Sequence, residues 1–135
     1  MKEIEARLQK SRRYLEMAWH DYHGGFCEGA VSHAYYAMFH SAKAFLALDD
    51  ISPKTHKGVI LQLGKYVKLG KLGKDEVRSI AHGSTVRIWC DYDIEVVLDR
   101  GEVGELLNEA EHFVDKIEAV VADKSRETET TPTER

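Results

Sequence analysis

The sequence contains few of the residues that cross-link small secreted proteins or interrupt helices. Its 135 residues include two cysteines and two prolines, so neither a disulfide framework nor a proline-rich chain is indicated. No uncharged stretch approaches the roughly 20 residues of a membrane span, and residues 1–5 lack the apolar segment of a secretion signal. We therefore expect a cytoplasmic protein without membrane contact, in which Cys27 and Cys90 are small buried apolar residues.

Several functional motifs are also absent. The chain has no glycine-rich phosphate loop, no internal repeat and no Gly-x-Ser-x-Gly turn, which argues against P-loop enzymes, solenoids and α/β-hydrolases. Charge is present but unevenly distributed: residues 51–74 hold six lysines and no acid, whereas residues 93–135 hold thirteen acids and five bases. The basic stretch either binds a phosphate group or an acidic partner, or its lysines only keep the surface of a helix and its loop solvated.

Apolar residues recur at helical spacing through five segments. The expected helices cover residues 2–22 and 26–48, a third helix that begins after Ser52 or Thr55 and ends near residue 69, and then residues 75–91 and 99–122. Ser52 or Thr55 is the candidate N-cap of the third helix, and Asp99 with Glu102 forms a capping box before the fifth. The second helix is apolar on nearly every side, so we expect it at the centre of a bundle or at a subunit interface.

The fourth helix has the least regular apolar face. We expect it to bury five residues: Val77, Ile80, Ala81, Ser84 and Ile88. Gly83 within it is expected to be a weak point, costing about 1 kcal/mol relative to alanine.

Short connections between the helices predict an all-α fold, an antiparallel up-and-down bundle of four to five helices. Residues 93–98 are rich enough in β-branched residues for a strand, but no partner strand is predicted, so we expect them to be irregular or helical. Residues 1–122 form the bundle domain. Residues 123–135, with no large apolar residue after Ser125, are expected to be a disordered tail.

Two groups of polar residues are candidates for chemistry. On the second helix His33, Tyr36, His40 and Lys43 follow a three-four-three spacing, which places them on one side of an otherwise apolar helix. Such a strip either faces solvent or lines a cleft for a polar or anionic ligand.

On the fourth helix Arg87 and Asp91 lie one turn apart, and Tyr92 follows. This group is either a helix-end salt bridge or a phosphate clamp with a neighbouring hydroxyl. The functional hypothesis requires the Arg87 guanidinium and the imidazole-bearing strip of the second helix to converge on one pocket.

Three segments together resemble the HEPN superfamily, and more narrowly its small prokaryotic proteins with an arginine-to-Asp-Tyr motif. They are Ala-Tyr-Tyr-Ala-Met-Phe-His at 34–40 with Ala-Lys-Ala at 42–44, Thr-His-Lys-Gly at 55–58, and Arg87 with Asp-Tyr-Asp at 91–93. The resemblance extends from residue 1 to about 122. It implies a helical bundle, often a homodimer, frequently encoded beside a small nucleotidyltransferase as a toxin–antitoxin pair, and in many members a metal-independent ribonuclease.

The resemblance makes Arg87 the family's arginine, whereas the histidine of the ribonuclease motif, four to six residues further on, is absent. It implies binding of RNA or nucleotide phosphate, with Arg87 holding the phosphate, without metal or cofactor. In place of the absent histidine, His40 or His33 of the second helix could substitute, and we expect His40 to act as the acid/base in any cleavage. The alternative is a non-catalytic subunit that docks a small nucleotidyltransferase. The remaining candidate ligand-binding residues are His33, Tyr36, Lys43, Asp91 and Tyr92.

Overall fold

Five α-helices account for most of the chain in the computed structural model, which describes residues 1–130 and, of these, the side chains of 1–127. They are α1 (Lys2–His23), α2 (Cys27–Ala47), α3 (His56–Lys68), α4 (Lys74–Tyr92) and α5 (Arg100–Thr130). Within this described part of the chain there is no β-strand. The predicted all-α class is confirmed, and, with Thr55 as the N-cap of α3, the bounds of the first four helices differ from the prediction by one residue at most.

Helix α2 lies at the centre of the bundle. It packs against each of the other four helices, most extensively against α1 and α5. Its buried residues cover most of its circumference: Ala30, Val31, Ala34, Tyr35, Ala37, Met38, Ser41, Ala42, Ala44, Phe45 and Leu46. The small side chains among them let the neighbouring helices approach closely, which explains the alanine content that the sequence shows.

Helix α1 is held between α2 and α5 by polar contacts as well as by apolar packing. The buried Ser11 hydroxyl donates to the carbonyl oxygen of Ala37 on α2, at 2.7 Å. On the opposite side the Arg12 guanidinium donates to Glu118 of α5, with Nε to Oε2 at 3.0 Å, and also contacts Asp115. The orientation of α1 is therefore fixed from both sides.

Helix α4 is rotated relative to the face expected from its sequence. Its buried residues are Ile80, Gly83 and Val86. Of the five residues predicted to be inside, only Ile80 is buried: Val77, Ala81 and Ser84 are half-buried, and Ile88 is 43% exposed. The cause is a close approach at Gly83, where an added Cβ would lie 2.7 Å from the Met38 methyl group of α2. Gly83 is thus the point where α4 packs against α2, which the apolar pattern alone could not show.

Both ends of α5 are informative. The Asp99 carboxylate accepts a hydrogen bond from the Glu102 backbone amide at 3.0 Å, as the predicted capping box requires. The helix continues to Thr130 rather than ending near Ala122, and an Arg126–Asp123 ion pair lies within this extension. Residues 131–135 of the predicted tail lie outside the described residues, and their disorder stays a prediction.

Residues 93–99, between α4 and α5, are irregular, in keeping with one of the two expectations for this segment. Cys27 and Cys90 are free and partly buried against the core. None of the helices described is long and apolar enough to cross a membrane.

Candidate functional site

Arg87 lies at the centre of the candidate site, where α4 crosses α2. It follows Gly83 by one turn, so the close approach at Gly83 brings the guanidinium over two aromatic rings. Its Cζ is 5.1 Å from the centroid of the Tyr35 ring and 5.6 Å from that of Tyr36. Both distances suit cation–π attraction. The arginine is therefore held against α2 and not extended into solvent.

The hydrogen bonding of Arg87 is incomplete. Nη1 donates to Asp91 Oδ2 at 2.8 Å, and the side chain is 18% exposed. Its Nε is buried and has no hydrogen-bond partner among the described residues. A buried donor without a partner costs about 1–3 kcal/mol, and such groups are often found where a ligand binds. The Arg87–Asp91 pair of the sequence prediction is present, but it satisfies only part of the guanidinium.

His56 reaches the same place from α3. Thr55 is the N-cap of that helix, and its hydroxyl accepts a hydrogen bond from the Gly58 amide at 2.9 Å. A glycine suits this contact because any larger residue would be crowded: an added Cβ at Gly58 would lie 2.9 Å from the Thr55 hydroxyl and 3.2 Å from Pro53. The Thr-His-Lys-Gly segment thus fixes His56 at the first position of α3.

The imidazole of His56 is surrounded by the aromatic residues of α2. It stacks on Phe39 with ring centroids 4.3 Å apart, and its Nδ1 lies 2.6 Å from the Tyr35 hydroxyl oxygen. Burial is the main cause that lowers the pKa of His56, and the positive charges of Arg87 and Lys43 add to the effect. His56 is consequently neutral near pH 7, and the field of Arg87 reaches it.

Tyr35 connects these groups through its hydroxyl. The residue is fully buried, and burial raises the pKa of its phenol to about 12, so the hydroxyl stays protonated. If Tyr35 donates to His56 Nδ1, the imidazole proton is on Nε2. If instead Nδ1 donates to the Tyr35 oxygen, the lone pair is on Nε2, and His56 is able to accept a proton there.

His40 lies further along α2 from Arg87. It stacks on Tyr14 of α1, with centroids 5.4 Å apart and planes within 2°, and Tyr14 in turn contacts Tyr36. Burial, followed by the positive charges of Lys10, Arg7 and Lys43, lowers the pKa of His40 to about 4. Its Nδ1 is buried and makes no hydrogen bond within the part of the chain described.

The other sequence-predicted residues occupy different positions. Tyr36 contacts Arg87 directly, and the Lys43 ammonium lies 5.6 Å from the centroid of Phe39, on the His40 side of the site. His33 is hydrogen-bonded to Asp21 of α1, with Nδ1 to Oδ2 at 2.6 Å, and Tyr92 is 82% exposed at the end of α4. The structure thus groups Arg87, Asp91 and Tyr36, and aromatic contacts connect them to His40.

Two residues at the centre of this group are missed by sequence reasoning. The apolar pattern includes Tyr35 only among the residues that cover α2, and His56 enters only as part of the Thr-His-Lys-Gly resemblance. The signal that could have found His56 is its place between a capping threonine and a glycine three residues after that threonine. This pattern fixes the residue at a helix start, where its side chain has a defined direction.

A metal centre has no support in the residues described. Among the side chains described, those of residues 1–127, no group of three or more histidine, cysteine, aspartate or glutamate residues is arranged to hold a metal ion. The polar groups of the candidate site are instead a guanidinium, imidazoles and phenols, which bind anions and transfer protons.

Comparison with known proteins agrees with this architecture. The HEPN domain family matches residues 4–120. Two proteins of Methanocaldococcus jannaschii, each named "Putative toxin", are 30% identical over 125 residues, covering 92% of this chain and 85% of the relative, and 35% identical over 116 residues, covering 85% and 86%. A "UPF0332 protein" of Archaeoglobus fulgidus is 31% identical over 121 residues, covering 90% of this chain and 97% of its own length.

Proposed function

Because the chain belongs to the HEPN family, we propose that it is the toxin of a toxin–antitoxin pair, located in the cytoplasm, and that it binds RNA through a phosphate at Arg87. The toxin assignment draws on the relatives that carry that name and align over most of their length. The binding assignment depends on one observation. The Arg87 guanidinium is held in place by Asp91 and the rings of α2, yet its buried Nε has no partner in the described structure.

A phosphate oxygen is a suitable partner for such a guanidinium. Arginine binds phosphate through its planar fork of N–H donors, and the partly buried position of Arg87 strengthens the attraction relative to a fully solvated one. Asp91 orients the fork through Nη1, as a carboxylate often does for a ligand-binding arginine. The neutral imidazole of His56 is close to the same rings.

The same groups supply a chemistry for metal-independent cleavage. A base removes the proton from the ribose 2′-hydroxyl, the 2′-oxygen attacks phosphorus, and the 5′-oxygen leaves and takes a proton from an acid. Arg87 stabilises the charge that develops on the phosphate, and His56 is the base when Nδ1 donates to Tyr35. His40, the acid/base proposed from the sequence, is the alternative; burial and nearby positive charges lower its pKa to about 4.

The test uses purified protein, a labelled single-stranded RNA, two variants of Arg87 and one control variant on the same helix. Arg87→Ala should weaken RNA binding at least tenfold and abolish any cleavage, and Arg87→Lys should recover only part of the binding. Arg78→Ala is the matched control, since Arg78 is on the same helix, 77% exposed and 3.7 Å from Asp75. Its RNA binding should equal that of the wild type.

Two results would contradict the proposal: RNA binding that Arg87→Ala leaves unchanged, or growth arrest on expression that is identical for wild type and Arg87→Ala. Cleavage products ending in a 2′,3′-cyclic phosphate would identify the mechanism. Comparing His56→Ala with His40→Ala then assigns the acid/base, because the variant of the acting residue loses cleavage and keeps RNA binding.

The second candidate function, a non-catalytic subunit that docks a small nucleotidyltransferase, is favoured by a different observation. Large apolar side chains are exposed at the end of α4 and in the segment after it: Trp89, Tyr92, Ile94 and Val97. Exposed apolar groups of this kind often mark protein contacts. Ile94→Glu with Val97→Glu should then abolish co-elution with a nucleotidyltransferase encoded beside this gene, whereas Leu61→Glu, at an exposed position on α3, should not.

The homodimer implied by the family is also part of the proposal. Light scattering on the eluted protein measures it directly, because a dimer has twice the chain mass of 15.4 kDa. A monomer at micromolar concentration would contradict it.

A further inference from the structure

A cationic surface extends from the Arg87 site toward the start of α1. Arg7, Lys10 and Tyr14 follow a three-four spacing and therefore lie on one side of α1. Tyr14 stacks on His40 of α2, and Lys43 lies one turn after His40. The positive charges of Arg7, Lys10 and Lys43 are all close enough to lower the pKa of the His40 imidazole. We call this group the α1–α2 basic cluster.

The charge of this cluster is only partly compensated. Arg7 has one carboxylate partner, the exposed Glu3 at 3.6 Å. Residues 29–47 of α2 include no acid, and neither Lys10 nor Lys43 has an ion pair among residues 1–127. Arg12, by contrast, is neutralised by two acids of α5. Like charges grouped without acids repel one another, which an anion bound between them would relieve.

The cluster and Arg87 are separated by aromatic rings. Tyr36 lies beneath Arg87, Tyr14 contacts Tyr36, and both tyrosines are partly exposed. Lys43 follows Tyr36 by seven residues, or roughly 10 Å along the helix at 1.5 Å per residue. One phosphate group is too small to contact both positions at this separation, so a ligand that reaches from Arg87 to Lys43 carries at least two phosphates. Positive charge beside aromatic rings is the usual composition of a groove for single-stranded nucleic acid.

We propose that the α1–α2 basic cluster is a second phosphate-binding subsite and that the ligand of this protein is a single-stranded RNA long enough to reach it from Arg87. This inference rests on the proposed function, which assigns a phosphate to Arg87, and it identifies the ligand class as an oligonucleotide in place of a mononucleotide. Lys10 and Lys43 contact the phosphates, and the rings of Tyr14 and Tyr36 lie beneath the intervening nucleotides.

The test is fluorescence anisotropy with two labelled RNAs, a single-stranded dodecamer and a dinucleotide with one phosphate, over a range of salt concentrations. The Lys10→Ala/Lys43→Ala variant should bind the dodecamer about tenfold more weakly than the wild type. The slope of log K against log salt should fall by about 1.4, because each lost phosphate contact removes about 0.7. Dinucleotide binding should be unchanged, since Arg87 is intact.

The matched control is Lys68→Ala/Lys116→Ala. It removes the same charge from exposed positions on α3 and α5, and Lys68 is twelve residues, or about 18 Å, along α3 from His56. Circular dichroism checks that each variant is folded. The control should keep the wild-type salt slope.

The outcomes separate this inference from the function on which it rests. One outcome keeps the proposed function and refutes the second subsite. In that outcome Arg87→Ala abolishes binding of both RNAs, whereas Lys10→Ala/Lys43→Ala changes neither the affinity nor the salt slope. A control variant that loses as much slope as the lysine pair also refutes it, because the effect is then one of total charge. Failure of the wild type to bind either RNA overturns both proposals.

Discussion

The packing of α4 against α2 at Gly83 allows a quantitative test. Gly83 is buried, and a Cβ there would lie 2.7 Å from the Met38 methyl and 3.7 Å from the Tyr35 ring. Gly83→Ala gains about 1 kcal/mol in helix propensity. Overpacking against a buried side chain costs about 1–3 kcal/mol, because Met38 must move within a filled core. We expect the variant to range from unchanged to about 2 kcal/mol less stable.

Gly64→Ala provides the control for this prediction. Gly64 lies within α3, and a Cβ added there would have no neighbouring atom within 4 Å, so the substitution should yield the propensity gain of up to about 1 kcal/mol without a steric cost. Urea unfolding followed by circular dichroism measures both free energies. The two variants should differ by about 1–3 kcal/mol, which separates their midpoints by roughly 1 M at a typical slope.

A double-mutant cycle with Met38→Leu identifies the contact. Leucine lacks the terminal methyl that meets the new Cβ, so the cost of Gly83→Ala should largely disappear in that background. RNA affinity should follow the same pattern, since Arg87 is one turn from Gly83 and moves with α4. If Gly83→Ala stabilises the protein as much as Gly64→Ala, the two helices do not approach closely at this point, and the placement of Arg87 loses its explanation.

Two other predictions concern the histidines. Thr55→Ala should lower stability by about 1 kcal/mol through loss of the α3 cap and should also slow RNA cleavage by freeing His56 while RNA binding is kept, whereas Thr55→Ser should restore both stability and cleavage; unchanged unfolding free energy would contradict the cap assignment. The pKa of His40 is lowered from 6.5 to about 4 in the folded protein, so the unfolded chain takes up a proton first as the pH falls. Stability present above pH 6.5 should therefore decline toward pH 4, and His40→Phe should show a shallower decline in urea midpoints measured across that interval.

The sequence predicts the elements of the fold well because each helix is specified by local features. Ile4, Ser11, Leu15 and Ala18 follow the helical period and are all buried, and the caps at Thr55 and Asp99 involve residues three apart in the chain. The rotation of α4 is different in kind. It depends on how closely α4 approaches Met38, 45 positions earlier in the sequence, and hydrophobicity along α4 does not contain that information.

For the candidate site too, the sequence predicts local contacts between side chains but not contacts between different helices. Arg87 and Asp91 pair across one turn, so their contact follows from spacing alone. The Tyr35–His56 contact joins α2 to the start of α3 through a loop whose path the sequence does not specify. Tyr35 and Tyr36 are adjacent and chemically identical, yet one is fully buried with its hydroxyl on an imidazole and the other is partly exposed. Which tyrosine takes which role is decided by the rotation of α2 against α3 and α4. Gly83 contributes to that packing because α4 comes close to Met38 and Tyr35 of α2 at this position.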